Sequence, residues 1–217
     1  MKNPIDHYWK LKLDAVKEVL EANNFEVFIA NNSTDASKLV LEKIIPAAHI
    51  KSISWGGSIT FTNSGLYDTL KNQTAFNILD VFDKALSNDE RTQRRREALL
   101  TDFFITGTNA LTEDGCLVNL DMIGNRVGAM TFGPKNVLVM TGRNKIVPDI
   151  ESAMERIKHF VAPTNAMRLD MKTPCTKTGI CSECSSSARI CNTWSITQKS
   201  FPKKRIKIVL INEDLGL

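Results

Sequence analysis

Four of the five cysteines of the chain lie in one short polar segment, PCTKTGICSECSSSARIC. Its C-x2-C pair puts two sulfurs close enough to share one metal, and thiolates are the soft donors that zinc and iron–sulfur clusters prefer. The spacing is not that of bacterial ferredoxins. We expect a [4Fe–4S] cluster, with zinc as the second choice and unliganded thiols as a third interpretation. The predicted ligands are Cys175, Cys181, Cys184 and Cys191.

A glycine-rich turn provides a second candidate site. The predicted strand HIKSISW is followed by Gly56, Gly57 and Ser58, and then by Thr60. Backbone N–H groups and hydroxyls at the carboxyl end of a strand are where α/β proteins bind anions. We therefore expect these four residues to contact an anionic ligand, although a tight turn between a strand and a helix has the same pattern.

Residues 107–147 are unusually rich in polar side chains, and Arg126 is flanked there by small and apolar residues. A half-buried guanidinium usually holds an anion. Glu113 is the candidate catalytic residue, as a general base or a nucleophilic carboxylate, and a role in a turn is its alternative. The candidate ligand-binding residues of this stretch are Asn109, Asn125, Arg126, Lys135 and Lys145.

The elements that must position these residues alternate between strands and helices. Apolar residues recur every three or four positions from Pro4 to Asn24, which predicts an amphipathic helix. The run NVLVMTG is apolar enough for a strand buried on both faces of a parallel sheet. Ser87 and Glu90 form a capping box at the start of a further helix. The pattern predicts a three-layer α/β fold with a largely parallel sheet.

We expect a single domain over residues 1–217. Residues 162–202 break the alternation, because they are polar, rich in Ser, Thr and Cys, and without periodicity. A loop of that length needs its own source of order, which ligation by the cysteines would supply. The fifth cysteine, Cys116, lies in a predicted strand and is expected to be a small core residue.

Composition narrows the classes of function. Of 217 residues, 42% are hydrophobic and 24% charged, and the net charge of +4 is scattered, so nucleic acid is not an expected partner. The apolar runs are too short to cross a bilayer, and the first residues lack the apolar stretch of a signal peptide. We therefore expect a cytoplasmic protein, in which thiols stay reduced.

The central motif GTNALTEDGCLVNLDMIGNRVGAMTFGPKNVLVMTGRNKIV is followed by Ala162, Pro163, Asn165 and Arg168, and then by the cysteine segment. This combination resembles the lactate-utilisation (LUD) domain family, in its short cysteine-bearing branch (lactate utilisation protein C-like). The resemblance extends from the N-terminal helix to the final LINEDLGL.

The resemblance implies a fold like that of the ribose-phosphate isomerase, glucosamine-phosphate deaminase and CoA-transferase superfamily. It also implies a role in oxidation of L-lactate to pyruvate, together with iron–sulfur partner proteins. In the first interpretation the chain binds a small anionic metabolite and carries a cluster for electron transfer. In the second it is an isomerase or CoA-transferase-like enzyme that uses Glu113, with structural cysteines. A third interpretation is a scaffold without a ligand, so whether the chain is itself catalytic stays open here.

Overall fold

The structure, a computed structural model, describes residues 3–217. Ten strands within these residues form two sheets. They are β1 (Glu26–Ala30), β2 (Ser52–Trp55), β3 (Asn77–Leu79), β4 (Phe103–Gly107), β5 (Ala110–Thr112), β6 (Leu117–Asp121), β7 (Asn136–Gly142), β8 (Ile146–Val147), β9 (Thr193–Thr197) and β10 (Ile206–Ile211).

The helices pack on both sides of the larger sheet. Short 3₁₀ turns at Ala98–Leu100 and Arg143–Lys145 and π turns at Val40–Ile44 and Ile157–Val161 extend or connect them. The α-helices are α1 (Pro4–Ala22), α2 (Ser33–Leu39), α3 (Ile45–Ala47), α4 (Ile59–Asn63), α5 (Leu66–Leu70), α6 (Asn88–Glu97), α7 (Asn125–Phe132), α8 (Ile150–Arg156), α9 (Ala162–Arg168) and α10 (Cys175–Thr178).

The main sheet is fully parallel and confirms the predicted three-layer α/β fold. Its six strands run in the order β1-β10-β7-β4-β2-β3. The two central strands, β7 and β10, are buried almost throughout, as expected for apolar runs covered on both faces. One face packs against α2 to α5 and the 3₁₀ turn Ala98–Leu100, and the other packs against α1 and the Met130 side chain of α7.

A second, mixed sheet of four strands was not predicted. Its order is β8-β5-β6-β9, and only the β5–β8 pair is parallel. A turn at Asp114 and Gly115 joins β5 to β6, with Gly115 at a φ of 87°. One face of this sheet shares the core with α1, and the other packs against α8.

The expectation of an irregular segment over residues 162–202 is wrong at both ends. The helix that begins at Ile150 continues through a π turn into α9, and Thr193–Thr197 form the edge strand β9. Pro163 follows the π turn closely, as Pro46 follows the π turn between α2 and α3. A proline cannot donate to the preceding turn, and the wider turn accommodates that loss without ending the helix.

No helix within residues 3–217 combines the length and the apolar character needed to cross a bilayer. The capping box predicted at the start of α6 is present, with reciprocal hydrogen bonds between Ser87 and Glu90.

Candidate functional site

The centre of the candidate site is the point where the chain leaves the main sheet for the second one, between β4 and β5. Three consecutive backbone carbonyls there each accept a hydrogen bond from a cationic side chain. Gly107 accepts from Arg126 at 3.4 Å, Thr108 from Lys145 at 3.2 Å and Asn109 from Arg156 at 2.9 Å. Three cations therefore gather at the carboxyl edge of the parallel sheet.

Lys145 is the most buried of the three cations, with 4% of its surface exposed. Its Nζ donates to the Thr60 hydroxyl at 2.8 Å and to the Thr108 carbonyl. Both partners are neutral. Burial, together with the positive charges of Arg156 and Arg126, lowers the pKa of Lys145 to about 7.

Arg126 has one carboxylate partner, Asp121, whose Oδ2 lies 3.0 Å from its Nε. No N–H group of the described residues points at that oxygen, so the contact is electrostatic without hydrogen-bond geometry. The Arg126 hydrogen bonds to the amide oxygens of Asn109 and Asn119 are long, at 3.4 and 3.5 Å. A Cβ at Gly56 would lie 2.7 Å from the Arg126 side chain, so this close packing requires glycine.

Arg156 completes the group and was not predicted. It projects from α8 and donates to the carbonyls of Asn144 and Asn109, while its guanidinium lies over the Phe160 ring at 5.6 Å. Burial lowers its pKa. Within residues 3–217, the three basic side chains of the cluster thus have one carboxylate partner, Asp121. The site therefore favours binding of an anion.

The glycine-rich turn borders this cation cluster. Ser58 caps the short helix α4 by accepting from the Phe61 N–H, and Thr60 is fully buried against Lys145. Gly57 faces open space, since no atom lies within 4 Å of a Cβ placed there. Of the predicted anion-binding residues, Thr60, Asn109, Arg126 and Lys145 come together here with Gly56 beside them.

The structure separates three predicted residues from the cluster. Lys135 precedes β7 and pairs with Asp102 at 3.3 Å on the opposite, amino edge of the sheet. Asn125 begins α7 and makes no side-chain hydrogen bond among the described residues beyond that helix. Glu113 lies in the β5–β6 turn, roughly 15 Å along near-extended chain from Thr108. Its role as a catalytic carboxylate stays a prediction.

Glu113 has a partner of its own. Lys12 of α1 lies 2.6 Å from its carboxylate, and this hydrogen bond raises the pKa of Lys12. The pair fastens α1 to the turn between the strands of the second sheet.

The four cysteines of the predicted metal site line one small cavity of about 20 Å³, floored by α9. As they stand, no three His, Cys, Asp or Glu side chains in the described part of the chain converge in the geometry of a metal site. Four thiols around one cavity nevertheless form a donor set that fits zinc or an iron–sulfur cluster. The lining cysteines are Cys175, Cys181, Cys184 and Cys191.

Arg189 organises the cysteine loop. Its guanidinium donates to the carbonyls of Cys191 at 2.9 Å and Cys184 at 3.0 Å, which fixes the two flanks of the cavity relative to each other. The fifth cysteine, Cys116, is buried in the core as predicted, and burial raises the pKa of its thiol.

The C-terminal tail, residues 212–217, packs against the cation cluster and against the second sheet. The Leu215 carbonyl accepts from Thr60 and its N–H donates to Asn144, both within the cation cluster. The Leu217 side chain packs into the same apolar cluster as Cys191, on the outer face of the second sheet. The tail and the cysteine loop therefore both pack against the apolar core of the second sheet.

Comparisons with known proteins agree with this architecture. A search of curated proteins found no match. Among solved structures, a DUF162 family protein from Deinococcus radiodurans superposes with a TM-score of 0.52, covering 94% of this chain and 98% of the other. At 12% identity, that similarity concerns the fold alone. The family model described as "LUD domain" matches residues 13–211, so this chain belongs to the LUD domain family.

Proposed function

We propose that the protein is a component of an L-lactate to pyruvate oxidation system. In this role it binds a small organic anion at the cation cluster and carries a [4Fe–4S] cluster, with zinc as second choice, on its cysteine loop. Membership of the LUD domain family, which is associated with lactate utilisation, supports the metabolic context. Iron–sulfur partner proteins would then exchange electrons with the loop.

The observation that carries the anion-binding half is the set of three consecutive carbonyls, each held by a cation. Backbone carbonyls accept hydrogen bonds from Arg126, Lys145 and Arg156 but carry no negative charge of their own. Among residues 3–217, Asp121 is the only carboxylate paired with this cluster. A carboxylate ligand would supply the missing negative charge at the carboxyl edge of the sheet, where ligands of open α/β sheets usually bind.

The cysteine half is supported by the donor set and by its surroundings. Four thiols line one cavity, and Arg189 lies against it. A bound cluster would supply one-electron transfer. The four cysteines would hold the cluster, and Arg189 would fix the loop around it.

Ligand-dependent stability tests the anion site. L-lactate, pyruvate and inorganic phosphate are added separately, and the free energy of unfolding is measured by urea denaturation. A ligand at a hundredfold its dissociation constant adds about 2.7 kcal/mol. We expect this gain to disappear in Lys145→Met and to remain in Lys135→Met, because Lys135 lies at the far edge. Equal gains in both variants would refute this location.

Metal analysis tests the loop separately. Protein purified without oxygen is assayed for iron, acid-labile sulfide and zinc, and its visible absorbance is recorded. We expect Cys184→Ser to lose the metal, while Cys116→Ser, which changes the buried cysteine outside the loop, retains it. Metal-free wild-type protein that takes up neither iron nor zinc on anaerobic reconstitution would contradict the proposal.

A further inference from the structure

Hydrogen bonding around Lys145 matches an uncharged amine. The Thr60 hydroxyl donates its proton to the Leu215 carbonyl, so its oxygen is left to accept from Lys145. The Thr108 carbonyl is the second acceptor. A neutral amine has two N–H groups and one lone pair, so these two acceptors satisfy it completely. An ammonium would carry a third N–H, for which the described residues provide no acceptor.

The charges nearby favour the same form. Lys145 faces Arg126 and Arg156 and has no carboxylate partner, and its pKa is lowered to about 7. Lys207, the other buried lysine of the described residues, has a different set of partners. Its Nζ has Glu26 at 3.3 Å, Asn136 at 3.0 Å and the Lys204 carbonyl at 2.9 Å, which together suit a charged ammonium.

We propose that Lys145 captures the carbonyl group of a small 2-keto acid as a covalent imine. The Nζ lone pair attacks the carbonyl carbon, the carbon–oxygen π electrons move to oxygen, and that oxygen leaves as water with the two protons of the amine. Carbon and nitrogen then share a double bond, and no oxidant or reductant is needed. The inference rests on the proposed function, because Arg126 and Arg156 must hold the carboxylate of the acid.

The C-terminal tail covers the amine. A Cβ at Gly216 would lie 3.1 Å from the Lys145 Nζ and 2.4 Å from the Thr60 hydroxyl, so the tail backbone lies directly against both groups. Asn144 holds this cover through two hydrogen bonds, one from the Leu215 N–H and one to the Gly216 carbonyl. Access by a keto acid therefore requires the tail to shift, and Asn144→Ala should accelerate capture.

Reductive trapping tests the proposal. The full chain is incubated with pyruvate and sodium cyanoborohydride at pH 7, and the modified lysine is located by peptide mass spectrometry. About half of Lys145 is unprotonated at this pH, against roughly one in three thousand for a lysine with an ordinary pKa. From these unprotonated fractions we expect modification of Lys145 to be about a thousandfold faster than that of exposed lysines such as Lys135. Lys207 should stay unmodified.

Variants and a binding measurement separate the outcomes. The adduct should vanish in Lys145→Met and persist in Lys207→Met, and mapping in the wild type identifies the site even if the first variant folds poorly. Calorimetric binding of pyruvate without a Lys145 adduct would overturn the imine and leave the anion site standing. If pyruvate neither binds nor forms an adduct, both the imine and the anion site are refuted. Modification spread evenly over exposed lysines would also reject the special reactivity of Lys145.

Discussion

Replacing Lys145 with methionine should change how the stability of the protein depends on pH. In the folded chain the pKa of Lys145 is about 7, against an ordinary value of 10.5. Between these two values the unfolded chain binds more protons than the folded one, so the free energy of unfolding rises with pH. Methionine has a similar volume and does not titrate, so the variant lacks this contribution.

The size of the effect follows from the same two values. The drop from 10.5 to about 7 corresponds to an upper limit of about 5 kcal/mol, reached well below pH 7. Between pH 7 and pH 9 the linkage relation gives a change of about 2 kcal/mol. The unfolding free energy of the wild type should therefore gain about 2 kcal/mol relative to Lys145→Met over this interval.

Urea denaturation at pH 7, 8 and 9, with reductant present, measures the difference. Titration of thiols and tyrosines affects both proteins and cancels. Lys207→Met is the matched control, because removal of that buried ammonium strips Glu26 of its partner. We expect this control to be less stable than the wild type at every pH. If the difference between wild type and Lys145→Met does not change from pH 7 to pH 9, the argument for a neutral buried amine is wrong.

Two further predictions concern the frame of the fold. Asp102→Ala should cost about 1–3 kcal/mol of unfolding free energy, because the carboxylate accepts from the backbone N–H groups of Lys51 and Ser52. These bonds lower the pKa of Asp102, so its contribution in the wild type should fade as urea titrations move from pH 6 to pH 3. Ser87→Ala should cost about 1 kcal/mol by thermal denaturation, since it opens the capping box with Glu90, and Ser87→Asp should restore most of it. An unchanged midpoint in either alanine variant would contradict the role given to that residue.

The sequence was sufficient to predict the main sheet because the central strands of that sheet are long apolar runs. Asn136–Gly142 is an example, since a run of that kind has few stable places other than the centre of a parallel sheet. The strands of the second sheet are short, and Ile146–Val147 and Ala110–Thr112 have too few residues to show a period. Their pairing depends on tertiary contacts.

Two lysines show which structural rule was needed to predict the anion site correctly. Lys135 and Lys145 lie before and after β7, in equally polar stretches of the sequence. Both were predicted to bind the anion. Residues before a parallel strand lie at the amino edge and residues after it at the carboxyl edge, where ligands bind. This rule, applied to β7 alone, separates Lys135 from Lys145. Arg156 could not be found in this way, because a helix of the following segment brings it back to the Asn109 carbonyl.

The second sheet explains why this family member has a cation cluster at all. Passing from β4 to β5 turns the chain out of the main sheet, so the carbonyls of Thr108 and Asn109, just after the last paired residue Gly107, need donors from outside the ladder. Neutral donors could satisfy those carbonyls without placing positive charge there. Three long basic side chains donate to them and to the Gly107 carbonyl from three directions, and the guanidinium groups of Arg126 and Arg156 concentrate charge where, within residues 3–217, only Asp121 opposes it. Because a buried charge without a counter-ion is costly, the arrangement makes sense if an anion occupies the cluster during function.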